Sequence, residues 1–196
     1  MKKYLFLLTA MTFALSMFAQ SWVRQYDRVD GFSNGRALVE KNGKFGFCCE
    51  KGNVWVKLVY DDAMAFSENR AAVQFNGKWG FVDPLGNEVI QPQYWDVGSF
   101  HEGLAVVMMG GNYGFIDTTG KLIVQLQYLN ALSFGNGLAP VCNQKGLWGY
   151  IDNTGKQVIP FKYSYATSFA DGKGKVMYNG GWYSITTDGK INKSEE

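Results

Sequence analysis

Residues 77–86 read G-K-W-G-F-V-D-P-L-G, and near copies follow as G-N-Y-G-F-I-D-T-T-G at 111–120 and G-L-W-G-Y-I-D-N-T-G at 146–155. Turn chemistry brackets each string. In front stand Asn76-Gly77 and Gly110-Gly111, dipeptides that tolerate the positive φ a tight hairpin requires. Behind stand Asp83-Pro84-Leu85-Gly86, Asp117-Thr118-Thr119-Gly120 and Asp152-Asn153-Thr154-Gly155. Asp first, Pro second and Gly fourth are type I turn preferences, so these aspartates read as turn formers rather than acids or metal ligands. Between the turns the side chains alternate: Trp79 and Phe81 share one face, Gly80 and Val82 the other. That is the signal of a β-strand.

The strings belong to a longer period. Tyrosines fall at Tyr26, Tyr60, Tyr94, Tyr128 and Tyr163, and phenylalanines follow at Phe32, Phe66, Phe100, Phe134 and Phe169. Aromatics recur again at Phe45, Trp79, Tyr113, Trp148 and Trp182. The spacing is 34 residues, with one residue inserted in the fourth copy between Val141 and Trp148. An alternating strand carrying Ala71 and Val73, or their equivalents, precedes each string, and an apolar strand such as Val89–Gln91 follows it. The pattern predicts an all-β chain of five tandem units, each a three-stranded meander plus an irregular connector. The units run at about 22–52, 53–86, 87–120, 121–155 and 156–189, within a single domain over 20–196. One meander cannot bury its own apolar face, so stacked neighbours must supply the core, and the recurring aromatics read as core.

Propeller blades commonly take about 40–45 residues for four strands. A shorter unit favours an open, superhelical, solenoid-like stack. Against that, Ser21–Gln25 resembles a third-strand segment placed ahead of the first tyrosine. A first strand that completes the last unit is how propellers close, so a closed five-bladed ring is the alternative.

The strings GKWGFVD, GNYGFID and GLWGYID, each preceded by an F-x-x-G/N-x-A-x-V segment, resemble the WG (KWG) repeat of bacterial proteins. The resemblance extends over residues 22–189. It implies a β-repeat scaffold with non-catalytic roles and supplies no catalytic residues. Phe45 and Tyr113 replace the Trp, Tyr183 replaces the Gly of the fifth copy, and Cys49 and Thr186 replace the turn Asp. Such departures suit terminal copies that act as caps.

The first 19 residues have the layout of a secretory signal peptide: Lys2 and Lys3, an uncharged apolar run from Tyr4 to Phe18, then Ala19. Export to the periplasm, cell surface or medium is the expectation, with no stable membrane span in the mature chain, because the run is short for a spanning helix. Without residues 1–19 the chain has 17 basic and 17 acidic residues. A sequence-independent nucleic-acid binder needs a basic excess, so that partner is not expected. Three cysteines, Cys48, Cys49 and Cys142, read as free thiols, with a bridge from Cys142 to one of the pair as the alternative.

No nucleophile elbow, zinc-protease string or phosphate loop occurs, and no metal or cofactor is expected. His101 is the only histidine, and a lone histidine forms neither a triad nor a metal cluster. Asp62 and Asp96 are connector carboxylates, which read as hydrogen bonders within the connectors. Trp95 is the residue that breaks the pattern, since Asp27, Asp61, Leu129 and Ser164 stand at its place in the other copies. Trp95, His101, Asp62 and Asp96 are therefore the candidate ligand-binding residues. The expected function is an exported non-catalytic scaffold that binds a protein or cell-envelope partner. A glycan-binding, lectin-like module is the alternative, and a hydrolase using the connector carboxylates is a second one.

Overall fold

The hairpin and type I turns divide the chain into strands. The computed structural model, which describes residues 21–33 and 35–193, arranges them as five antiparallel sheets of four. The export segment expected at 1–19 lies outside the described residues. The first sheet contains β1 (Arg28–Ser33), β2 (Arg36–Lys41), β3 (Lys44–Cys48) and β4 (Val54–Tyr60). The second contains β5 (Asp62–Ala63), β6 (Ala71–Phe75), β7 (Lys78–Val82) and β8 (Glu88–Tyr94). The third contains β9 (Asp96–Val97), β10 (Leu104–Met109), β11 (Asn112–Asp117) and β12 (Leu122–Tyr128). The fourth contains β13 (Asn130–Ala131), β14 (Leu138–Cys142), β15 (Trp148–Asp152) and β16 (Gln157–Tyr163). The fifth contains β17 (Tyr165–Ala166), β18 (Lys173–Tyr178), β19 (Gly181–Thr186) and β20 (Ile191–Lys193).

Each unit thus has four strands, where the sequence pattern predicts three. From the second sheet on, the additional strand is a two-residue piece of the connector: Asp62 and Ala63, for example, pair with Gln74 and Val73. Two residues are too few to show an alternation. The result is the four-stranded build of a propeller blade, obtained within 34 residues by shortening the first strand.

The core lies between sheets. Phe47 and Val56 of the first pack on Phe66, Ala71 and Val73 of the second. Ring pairs mark the four joints: Phe47 on Phe66 at 4.7 Å, and Phe81 on Phe100, Phe115 on Phe134 and Tyr150 on Phe169 at 4.8 Å. The glycine following each marker aromatic has a steric cause. Register shifts fold the outer strand over β3, β7, β11 and β15. A Cβ on Gly80 would therefore fall on the backbone of Ile90, Gln91 and Pro92, and the same holds at Gly46, Gly114 and Gly149. In the fifth copy Tyr183 stands at this position, and β19 pairs with β20 without a shift.

The turn glycine closing each string receives a side chain of the preceding sheet. Gly120 meets Ile90, and Gly155 meets Val124. At Gly52 that place is taken by Trp22. Tyr26 and Gln25 also bond the Gly52 carbonyl, at 3.1 and 3.4 Å. The segment before the first tyrosine therefore stands in for the last strand of a preceding sheet, with Val23–Gln25 as a short 3-10 turn. It covers the Ala37, Val39 and Cys48 face of the first sheet and does not complete the fifth. No closure of the row onto itself is seen among the described residues.

Side-chain bonds between sheets join sequence neighbours. Glu68 accepts from the backbone amides of Glu102 and Gly103 at 2.7 and 2.8 Å. Glu102 accepts from the Gly137 amide and Asn136 from the Gly172 amide, both at 2.9 Å. These residues sit in tight turns with positive φ, 49° at Glu68 and 55° at Glu102. Glutamate is uncommon there, and the bond to the next turn offsets the backbone strain.

Candidate functional site

Trp95 lies at the end of the row that carries the Asn-Gly hairpins. Its amide bonds the Met108 carbonyl at 2.9 Å, and 57 % of the residue is exposed. One sheet earlier the same position is Asp61, which accepts from the Asn76 amide at 2.7 Å and pairs with Lys44 at 2.6 Å. Those bonds, Lys44 foremost, hold its carboxyl below the usual carboxylate range. At the next joint Lys78 replaces Lys44 and Trp95 replaces Asp61, and the Lys78 ammonium sits 2.6 Å from the ring centroid. Loss of water around Lys78 lowers its pKa from the ordinary lysine value. Trp95 thus closes the joint between the second and third sheets by a cation–π contact where an ion pair stood before.

Each of the two aspartates holds the backbone amide that follows it. Asp62 accepts from the Ala63 amide at 2.8 Å. Asp96 accepts from the Val97 amide at 2.9 Å and from the Tyr113 hydroxyl at 3.0 Å. The turn aspartates behave likewise: Asp83 accepts from the Leu85 and Asn87 amides, both at 2.9 Å.

His101 is exposed and pairs with Leu104 across a two-residue turn. Asp96 pairs with Met108, at the other end of β10. Four residues of strand separate the two rows, roughly 13 Å at about 3.3 Å per residue. The structure therefore brings Trp95 and Asp96 together, sets Asp62 at the equivalent place one sheet away, and leaves His101 at the opposite end. Among the described residues no three His, Cys, Asp or Glu side chains gather. The three cysteines are free: Cys48 and Cys142 are buried in the first and fourth sheets, and Cys49 is half-buried in a turn.

Two features escaped the sequence reading. The first is a row of rings and polar groups along the short strands, where Tyr165 lies 5.2 Å from Trp148 and 6.0 Å from Trp182. The second is β4, which exposes Val54, Trp55 and Val59 on an outer edge, with the Arg36 guanidinium 3.9 Å from the Trp55 ring. Comparison of the four outer strands position by position would have singled it out.

The chain matches the family described as WG containing repeat, over residues 24–45, 45–79, 79–113, 113–147 and 148–182. No curated protein matches. Among solved structures, the computationally designed Ika8 protein is similar with a TM-score of 0.53 at 14 % identity, covering 85 % of this chain and 61 % of its own. Kluyveromyces lactis Hsv2 is similar with a TM-score of 0.53 at 13 % identity, covering 80 % of this chain and 59 % of its own. The chain thus spans about three fifths of the length of these two structures, and at such identities the likeness is one of fold.

Proposed function

Since the chain belongs to the WG-containing repeat family, we propose that it is a non-catalytic scaffold that works after export and presents its repeat surface to a protein or cell-envelope partner. The observation that carries this reading is how the candidate polar groups are used. Asp62 and Asp96 hold backbone amides, and Trp95 is covered on one face by Lys78. Each already works in the frame, so the freedom to vary lies in the exposed positions of the outer strands and connectors. A β-repeat frame that varies only at its surface is suited to binding.

A glycan reading asks a sugar ring to stack on an exposed aromatic. At Trp95 the sugar must take the free face or displace an ammonium. The deciding experiment is affinity capture from the native envelope with in situ crosslinking, run beside a glycan array. A defined envelope protein with a blank array supports the scaffold. Array binding lost in Trp95→Ala overturns it in favour of the lectin-like module. Turnover abolished by Asp62→Asn or Asp96→Asn overturns it in favour of a hydrolase. Fractionation with N-terminal sequencing of the mature protein tests export, with cleavage after Ala19 expected.

A further inference from the structure

Four outer strands of seven residues, β4, β8, β12 and β16, occupy equivalent places, so each serves as a control for the others. Every outer strand offers a row of backbone N–H and C=O groups on its free side, and proteins usually blunt such edges. Pro92 interrupts β8 and Pro160 interrupts β16. On β12 the Gln127 carbonyl is taken by the Gln144 side chain at 2.6 Å. β4 reads V-W-V-K-L-V-Y without proline. It carries three exposed large apolar residues, Val54 at 49 %, Trp55 at 43 % and Val59 at 43 %.

Two recesses border this strand. One, of about 370 Å³, is lined by Val54 and Leu58 together with Tyr26 and Lys44. The other, of about 400 Å³, is lined by Trp55 with Cys49, Glu50, Lys51 and Asn53. An added strand gains affinity from main-chain bonds and specificity from pockets that take alternate side chains. The charge selects among occupants. Residues 28–60 hold six Lys or Arg and three Asp or Glu, a net of +3, whereas residues 62–94 hold two and four, a net of −2. Lys57 lies exposed in the middle of β4. In a two-fold pairing of β4 with itself Lys57 would face its own copy, and like charges directly opposite destabilise a sheet.

We infer that β4 is a docking edge for an extended segment of a partner protein, with apolar residues for the two recesses and an acidic residue opposite Lys57. This inference rests on the scaffold reading and narrows it to one edge and one peptide chemistry.

The probe is a labelled synthetic peptide of alternating Thr and Val with a central Glu, beside its central-Lys counterpart, titrated by fluorescence anisotropy against the full chain. The informative variant is Leu58→Pro, because Pro92 occupies the equivalent place in the second sheet. The expected result is saturable binding of the Glu peptide, at least about tenfold weaker in Leu58→Pro, with preference for the Lys peptide in Lys57→Glu. Circular dichroism checks the fold of Leu58→Pro, and if that variant fails to fold, the charge reversal decides alone. Absence of saturable binding, or equal binding by a folded Leu58→Pro, overturns the docking edge. A partner captured equally by wild type and Leu58→Pro sinks the edge while leaving the scaffold standing.

Discussion

Lys78 lays its ammonium over the ring of Trp95 at the place where, one joint earlier, Lys44 pairs with Asp61. The two contacts solve the same geometric problem with different chemistry. Both lie at the surface, where water and salt screen an ion pair and a cation–π contact alike, so neither adds much to stability. Trp95→Asp should therefore change the unfolding free energy measured in urea by less than about 1 kcal/mol. A loss of several kcal/mol would show that the Trp95 ring is needed by the core.

The joints between sheets should behave differently. Phe81 is fully buried against Phe100, and removing such a ring costs about 3–5 kcal/mol. Phe75, 42 % exposed at a hairpin, should cost under about 1 kcal/mol on the same substitution to alanine. Equilibrium denaturation of both variants checks the contrast.

At Glu68 two effects can be separated. Glu68→Ala loses the acceptor for the Glu102 and Gly103 amides and keeps a side chain at positive φ. It should cost about 1–2 kcal/mol. Glu68→Gly should recover part of that loss by relieving the backbone. Glu68→Asn should lie near wild type, since Asn136 fills the equivalent role toward Gly172.

The thiols should react in a fixed order. Burial pushes the Cys48 thiol up to about 11 and also raises Cys142. Backbone bonds, led by that from Lys51, lower Cys49. One thiol per chain should therefore react quickly with a disulfide reagent near neutral pH, and it should vanish in Cys49→Ser. Trp22→Ala uncovers the face that holds Cys48 and should bring a second thiol into reach without unfolding. Mass spectrometry of the labelled peptides identifies each.

Much of this frame is legible in the chain, because each marker of the period has one local cause. The hairpin glycines are present for positive φ, and the glycine after the aromatic is present because Ile90 and its equivalents cross over it. What escaped depends on neighbours. A two-residue strand such as Asp62–Ala63 is defined only by its pairing with Gln74 and Val73. Glu68 carries no turn signature, and its conformation is held by amides 34 and 35 residues away. Ser21–Gln25 reads in the sequence as a third-strand segment, but it forms a 3-10 turn, and its role as cover for the first sheet rests on the approach of Trp22 to Gly52. Of the candidate residues, Trp95 was visible as an exception to the pattern. Its partner Lys78 was hidden among ordinary hairpin residues.

Alkaline pH should loosen the row. Burial, then the nearby Glu88, pushes Tyr60 up to about 12. A folded pKa raised above the unfolded value near 10 gives stability that is complete below pH 10 and is lost as pH rises toward 12. Urea midpoints should fall over that window, and Tyr60→Phe should flatten the fall. Absorbance at 295 nm follows the ionisation directly.

The ladder from Glu68 to Gly103, from Glu102 to Gly137 and from Asn136 to Gly172 ties each unit from the second on to the next. Under tension applied at its two ends, such a row yields link by link. Each 34-residue unit that gives way pays out roughly 110–120 Å of chain, at about 3.3–3.6 Å per residue.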